Sequence, residues 1–73
     1  MNSTMRVHIV SQEASIYAGV AEMVIASGVM GDLGIAPHHA PLLTILKPGP
    51  VRIIQSSNGE EIIYVSGGKM QLN

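Results

Sequence analysis

Apolar and polar residues alternate near the start of the chain, where Met5, Val7 and Ile9 are interleaved with Arg6 and His8. Successive side chains of a β-strand point to opposite faces, so this period of two is typical of a half-buried strand. We therefore predict a first strand over residues 5–9.

The next apolar segment, ASIYAGVAEMVIAS, is less regular. Ile16, Val20 and Val24 also fit a helical spacing, whereas Gly19 and the β-branched residues indicate a bent strand. Val and Ile far outnumber Leu in the whole chain, and β-branched side chains fit a pleated sheet better than the turns of a helix. We favour the strand.

A hairpin is predicted in VRIIQSSNGEEIIYVS, because Asn58-Gly59 can occupy the two left-handed positions of a tight turn between two β-rich runs. The expected cross-strand pairs are Ser57 with Glu60, Ile54 with Ile63, and Ile53 with Tyr64. Both faces of the hairpin would then be apolar. One face can fill a core, so the other needs a covering layer from this chain or from another protein.

Turn signals separate further short strands. Residues 47–50, Lys-Pro-Gly-Pro, predict a turn after a strand over LLTIL, residues 42–46. Residues 66–68, Ser-Gly-Gly, would suit a phosphate if a helix followed, but the alternation in KMQLN favours a tight turn and another strand. Short strands at this close spacing predict an all-β fold, a small β-sandwich or flattened barrel of mainly antiparallel strands.

Composition narrows the class of protein. At 73 residues the chain is one domain at most, and a core of this size is marginally stable alone. Hydrophobic residues make up 47% of the chain and charged residues 12%, which favours a folded domain that rests on a partner surface. The formal net charge of -1 is unlike the basic surface of nucleic-acid binding proteins.

Targeting and redox signals are weak. The chain has no cysteine for a disulfide or a thiolate metal site, which is consistent with a reducing cytosol. Its N-terminus fits neither a secretory signal nor a transit peptide. Because no apolar run approaches the roughly 20 residues that span a bilayer, we expect any membrane association to be indirect.

Two adjacent histidines, His38 and His39, lie between prolines in GDLGIAPHHAPLL. A proline pushes the residue before it toward extended backbone, so we expect a nearly straight chain in which the two side chains diverge. With no cysteine or carboxylate pair nearby, this predicts no metal site. Catalysis would need a nucleophile and an acid within reach, and Ser66 with Asp32 matches only in composition. We expect loop histidines that make hydrogen bonds.

Glycines surround the one acidic residue of the same region. Gly28, Gly31 and Gly34 flank Asp32 in GVMGDLGI, which predicts a sharply bent loop that projects one carboxylate. From the residues alone, a solvated turn and a contact point on a partner are equally open.

Together, GDLGIAPHHAPLLTILKPGPVRI and EEIIYVSGG resemble the N-terminal β-sandwich domain of the epsilon subunit of bacterial F-type ATP synthase. The resemblance runs from the first strand to Gly68, and its core pattern is an acidic residue, LGI, proline, HAPLL and K-P-G. It implies one domain over residues 1–73 that is incomplete at the C-terminus and lacks its closing strands. The family's C-terminal helices, which inhibit ATP hydrolysis and in some relatives bind ATP, would be absent.

The resemblance implies a non-catalytic rotor subunit of the central stalk, peripheral at the cytoplasmic face of the bacterial inner membrane, with no cofactor, metal or substrate of its own. Its partners would be the gamma subunit and the ring of c subunits, and it would help couple rotation to ATP synthesis. Residues that match the gamma side are Ser11, His39 and Thr44. Residues that match the c-ring side are Gly31, Asp32 and Leu33.

Three positions depart from the family pattern. Asp32 replaces the commoner Glu, which shortens the reach of the carboxylate by one methylene. His38 replaces a glycine or another small or turn-forming residue, which adds an exposed side chain. Lys69 replaces an apolar residue in the strand that follows Ser-Gly-Gly.

Two other functions fit the residues: a free-standing β-barrel that binds a small molecule and, more remotely, a histidine-dependent hydrolase. A rotor subunit should co-purify with gamma and c subunits, whereas a ligand-binding module should be stabilised by a small molecule. A hydrolase should turn over substrate and lose that activity in His39→Ala.

Overall fold

The computed structural model describes residues 3–11, 14–38, 41–56 and 59–73. Within these ranges the chain forms eight β-strands and no helix, so the all-β prediction is confirmed. The strands are β1 (Met5–Val10), β2 (Ser15–Ala21), β3 (Met23–Gly28), β4 (Gly31–Ile35), β5 (Leu42–Leu46), β6 (Gly49–Ser56), β7 (Gly59–Val65) and β8 (Gly68–Leu72). No helix in the described ranges is long and apolar enough to cross a membrane.

The strands build one open, curled antiparallel sheet with two parts. We name these half-sheet A, with strand order β2-β1-β8-β5, and half-sheet B, with strand order β4-β3-β6-β7. They join at one corner, where Gly28 of β3 pairs with Leu46 of β5 and Val29 N–H donates to the Ile45 carbonyl at 3.0 Å. The curl at this corner turns one face of each half toward the other, as in a sandwich.

The first and last strands lie side by side in half-sheet A. β1 pairs with β2 on one edge and with β8 on the other. Beyond the last strand, Asn73 N–H donates to the Arg6 carbonyl at 3.0 Å, and Arg6 N–H donates to the Asn73 carbonyl at 2.9 Å. Half-sheet A is therefore complete only when both ends of the described chain have met.

The core lies between the two inner faces and is apolar throughout the described residues. Every second residue of β1 is buried, which confirms the first predicted strand and extends it to Val10. The buried side chains are Met5, Val7, Ile9, Ala21, Val24, Ala26, Leu46, Val51, Ile53, Val65, Met70 and Leu72. Both half-sheets contribute to this set, so neither can bury its apolar face without the other.

The segment with mixed periodicity forms strands, as predicted, and the helical alternative is wrong. A bend at Glu22 divides it into β2 and β3. The Glu22 N–H donates to the Ile54 carbonyl at 2.7 Å, which fixes the bend against β6. The predicted LLTIL strand is confirmed as β5, and the chain bends at Pro48 before β6 begins at Gly49.

The predicted hairpin exists as the β6–β7 pair, but its predicted register is wrong. Ile53 lies opposite Glu61 and Ile54 opposite Glu60, in place of Tyr64 and Ile63. The strands already pair at Ser56 and Gly59, two residues out of the predicted register, and an irregularity between Ile54 and Ser56 shifts every pair beyond it by one more residue. Of the predicted Asn58-Gly59 turn, Gly59 lies in β7 and pairs with Ser56, so its predicted place in the turn is wrong, and Ser57 and Asn58 lie outside the described residues.

The Ser-Gly-Gly turn is confirmed between β7 and β8. Gly67 and Gly68 have φ angles of 123° and 117°, which L side chains rarely adopt. A Cβ added at Gly68 would collide with the carbonyl oxygen of Val10. Glycine is therefore required where β8 begins, because β1 passes directly beside it.

Gly68→Ala should lower the free energy of unfolding by more than about 2 kcal/mol, because it adds backbone strain to this collision. Gly34→Ala is a matched control, since no heavy atom lies within 4 Å of the Cβ position there. We expect the control to change stability by less than about 1 kcal/mol. Urea denaturation followed by circular dichroism measures both values, and a Gly68→Ala protein as stable as wild type would contradict the collision.

Candidate partner-binding site

Two positions expected on the gamma side, Ser11 and Thr44, lie in half-sheet A on either side of β8. Ser11 follows β1 and is half-buried, and its N–H donates to the Ala14 carbonyl at 2.9 Å. Thr44 lies within β5 and pairs with Met70 of β8. The third position, His39, lies outside the described residues. The structure thus places the two described positions in the same half-sheet.

Thr44 faces the inside of the curled sheet and is half-buried. A Cβ added at Gly28 would lie 3.2 Å from Thr44 Oγ1 and 3.2 Å from the Gly31 carbonyl oxygen. Because Gly28 has no side chain, β4 and β5 can both approach it closely. The corner between the half-sheets therefore brings Thr44, expected on the gamma side, near Gly31, expected on the c-ring side.

Asp32 lies on a strand, and the bent loop predicted around it is wrong at this position. β4 begins at Gly31, and Asp32 pairs with Ser27 of β3. Gly31 has a φ of 132° and completes the turn, so antiparallel pairing has already resumed at Asp32. The Asp32 side chain is exposed, and within the described ranges it makes no hydrogen bond or ion pair.

The turn that precedes Asp32 is apolar and projects into solvent. Met30 is 94% exposed and Val29 is 53% exposed. Leu33 differs from its two neighbours, since it is half-buried and pairs with the buried Ala26. The three positions expected on the c-ring side are therefore divided: Gly31 and Asp32 are exposed, and Leu33 faces inward.

His38 adopts a left-handed backbone with a φ of 72°, so the prediction of a nearly straight chain is wrong at this residue. The residue after His38 is His39 and not a proline, so the restriction that prolines impose falls on Ala36 and Ala40. His38 Nε2 lies 2.9 Å from Ser3 Oγ, which confirms a hydrogen-bonded loop histidine. Among the described residues, no group of three His, Asp or Glu side chains could hold a metal ion.

An ion pair on the outer face of half-sheet B was missed by sequence reasoning. Arg52 Nε donates to Glu60 Oε2 at 2.8 Å, and Arg52 Nη2 donates to Glu60 Oε1 at 3.0 Å. These hydrogen bonds raise the pKa of the Arg52 guanidinium and lower the pKa of the Glu60 carboxyl. In the predicted register Arg52 and Glu60 are not neighbours, although opposite charges on the two strands of a hairpin could have suggested the pair.

The outer face of half-sheet B carries both charged and apolar side chains, and its Tyr64 is 79% exposed.

A hollow of about 650 Å³ opens at the end of half-sheet A beside the Ser-Gly-Gly turn. It is lined by Val10, Ser11, Ile45, Ser66, Gly67, Gly68 and Lys69. The hollow combines apolar walls with two hydroxyl groups and one cationic side chain.

A protein-family model described as the ATP synthase, Delta/Epsilon chain, beta-sandwich domain matches residues 4–73. This range includes all the strands described above. The chain belongs to this family. The β-sandwich in the family's description agrees with the two facing half-sheets, and the resemblance read from GDLGIAPHHAPLL is confirmed.

Two curated relatives of this delta/epsilon-family chain are ATP synthase epsilon chains from Acinetobacter baumannii, one from strain ATCC 17978 and one from strain AYE. Each is 50% identical to the chain over 70 residues, which is 96% of the chain and 50% of the relative. The chain therefore spans about half the length of the curated relatives it matches.

Arg52→Gln should raise the pKa of the Glu60 carboxyl toward its ordinary value, because the hydrogen bonds to the guanidinium favour the charged form. A carboxyl whose pKa is lower in the folded state contributes stability above its unfolded pKa and loses it as the pH falls through the folded pKa. The Arg52→Gln variant should therefore not show the loss of stability that the Glu60 carboxyl causes in wild type as the pH falls.

A pH titration of the carboxyl chemical shifts by NMR measures the change. Lys47→Gln is the control. It removes a cation that precedes β6 at the end of the β6–β7 hairpin far from Glu60, so it should leave the Glu60 titration unchanged. An unchanged Glu60 titration in Arg52→Gln would show that the bidentate pair does not form in solution.

Proposed function

We propose that this chain is the β-sandwich part of a non-catalytic rotor subunit of F-type ATP synthase. The observation that carries the proposal is the family match over residues 4–73, supported by 50% identity to epsilon chains. In this role the chain binds the gamma subunit and the c ring in the central stalk, at the cytoplasmic face of the bacterial inner membrane. It helps couple proton-driven rotation to ATP synthesis.

The gamma contact is supported by exposed apolar side chains on half-sheet A. Leu43 is 65% exposed and Ile45 is 53% exposed, and both lie on β5 beside the inward-facing Thr44. Apolar groups clustered on a surface favour association, because a partner removes them from water. Ser11 lies near this surface, at the hollow beside Ile45.

The c-ring contact is supported by Asp32 and the turn before it. The carboxylate is exposed and makes no ion pair within the described ranges, so it is available to accept hydrogen bonds from polar loops of a neighbouring subunit. An exposed pair of this kind contributes about 0 to 1 kcal/mol, and more if the interface excludes water. Met30 lies at the tip of the same hairpin and adds apolar contact area.

Purified gamma subunit should raise the melting temperature of the chain, because a partner that binds only the folded state stabilises it by mass action. The gain is roughly 2.7 kcal/mol when gamma exceeds its dissociation constant a hundredfold. Thermal melts with and without gamma measure the shift, with serum albumin as the protein control. A melting temperature that gamma leaves unchanged, but that a small molecule raises, would favour a free-standing ligand-binding module.

Asp32→Asn should weaken coupling without unfolding the domain, because it removes a charge that supports no described contact within the chain. Proton-driven ATP synthesis in membrane vesicles measures coupling, and a thermal melt measures stability. Glu61→Gln is the matched control, since it neutralises an exposed carboxylate on β7 of the same half-sheet. If Asp32→Asn lowered the melting temperature and left ATP synthesis unchanged, Asp32 would stabilise the β3–β4 hairpin and not a partner contact.

A further inference from the structure

The outer face of half-sheet A carries positive charge and, among its described residues, no carboxylate. The charge comes from Arg6 and Lys69, which point outward there in positions that alternate with buried residues. The described carboxylates lie elsewhere, on strands of half-sheet B or at the bend that leads into it. These are Glu22, Asp32, Glu60 and Glu61. Among the described residues, the two halves of the sheet therefore differ in charge although the chain as a whole is nearly neutral.

Lys69 has apolar neighbours on both sides. It pairs with Val10 on β1 and with Ile45 on β5, and no ion pair to it is present among the described residues. A cross-strand carboxylate would stabilise a lysine in this setting, but the two residues paired with Lys69 are Val10 and Ile45. The aliphatic stem can lie along the apolar neighbours while the ammonium group projects outward.

The hollow beside Lys69 is large enough to receive a side chain from another molecule. Its volume of about 650 Å³ opens between Ile45 and the Ser-Gly-Gly turn, and Ser66 contributes a hydroxyl group to its lining. The ammonium and hydroxyl groups of this lining can donate hydrogen bonds to a carboxylate. Its apolar walls can pack against apolar groups beside that carboxylate.

We propose that the outer face of half-sheet A binds an acidic segment of the gamma subunit, in which a carboxylate pairs with Lys69 and adjacent apolar side chains pack on Leu43 and Ile45. The identity of the partner rests on the function proposed above. The chemistry of the partner rests on the charge and the exposed apolar groups of this face.

A protein segment fits this face better than a lipid surface does. Anionic membranes are recognised by clusters of about four to eight Lys and Arg residues, and interfacial anchors use Trp and Phe beside basic residues. The face presents two such cations, Arg6 and Lys69, and the chain contains no Trp or Phe. A single carboxylate seated beside Lys69 needs neither feature.

The test compares the binding of purified gamma to the wild-type protein and to Lys69→Glu over a range of salt concentrations. The charge reversal should weaken binding by roughly tenfold or more, because like charges then face each other. It should also reduce or reverse the salt dependence of binding, because salt then screens a repulsion in place of an attraction. Lys47→Glu is the matched control, since it makes the same change at an exposed lysine between β5 and β6, and it should bind gamma like wild type. Circular dichroism melts verify that both variants are folded.

Four outcomes separate the possibilities. Loss of gamma binding in Lys69→Glu, restored when one acidic residue of gamma is changed to lysine, supports the proposal. Wild-type affinity in Lys69→Glu overturns it and leaves the proposed function standing. Failure of the wild-type protein to bind gamma would overturn the proposed function itself. If Lys69→Glu lost the binding to phosphatidylglycerol vesicles that wild type shows, and bound gamma like wild type, the face would bind lipid and the proposal would be overturned.

Discussion

The fold depends on how closely the two half-sheets approach each other at Gly28. A Cβ at this position would lie 3.2 Å from both the Gly31 carbonyl oxygen and Thr44 Oγ1, which is tighter than ordinary packing allows. Glycine leaves the space free, so β3 and β5 can share a short contact while the sheet curls away on either side. The curl brings the inner faces together, and on the other side Gln55 Nε2 donates to the Tyr17 hydroxyl at 3.1 Å and links β6 to β2.

Sequence patterns predicted the strands that bury one face. They did not predict strand register or strand ends, which depend on the backbone geometry of single residues. The alternation at the start of the chain exists because its apolar residues must face the core, so β1 could be read directly. The hairpin register could not, because the strands already pair at Ser56 and Gly59 and because Gln55 is an extra residue in β6, and apolar periodicity reveals neither feature. Glycines indicated a turn before Asp32 but not the residue at which pairing resumes. The positions assigned to partners came from family resemblance, since recognition also depends on residues that belong to other proteins.

Charge is distributed so that each half-sheet offers different chemistry to its surroundings. On half-sheet B, Arg52 and Glu60 neutralise each other, and Asp32 remains as an exposed carboxylate near the corner. On half-sheet A, Lys69 has no such partner within the described residues and lies among apolar side chains. In the rotor role proposed above, the chain would contact two neighbours at once, and two faces of unlike charge would allow both contacts without competition.

The pairing of β1 with β8 has a consequence for synthesis on the ribosome. Contacts between residues far apart in sequence form slowly, because loop-closure entropy must be overcome before they are made. The β8 edge of β1 stays unpaired until Lys69 to Leu72 have left the exit tunnel. During that interval Val7 and Ile9 lack their cross-strand core neighbours, Leu72 and Met70. A nascent chain with an open strand edge and exposed apolar residues is a substrate for chaperones that bind such segments. Expression yield should therefore respond to chaperone supply more strongly than the stability of the finished domain would suggest.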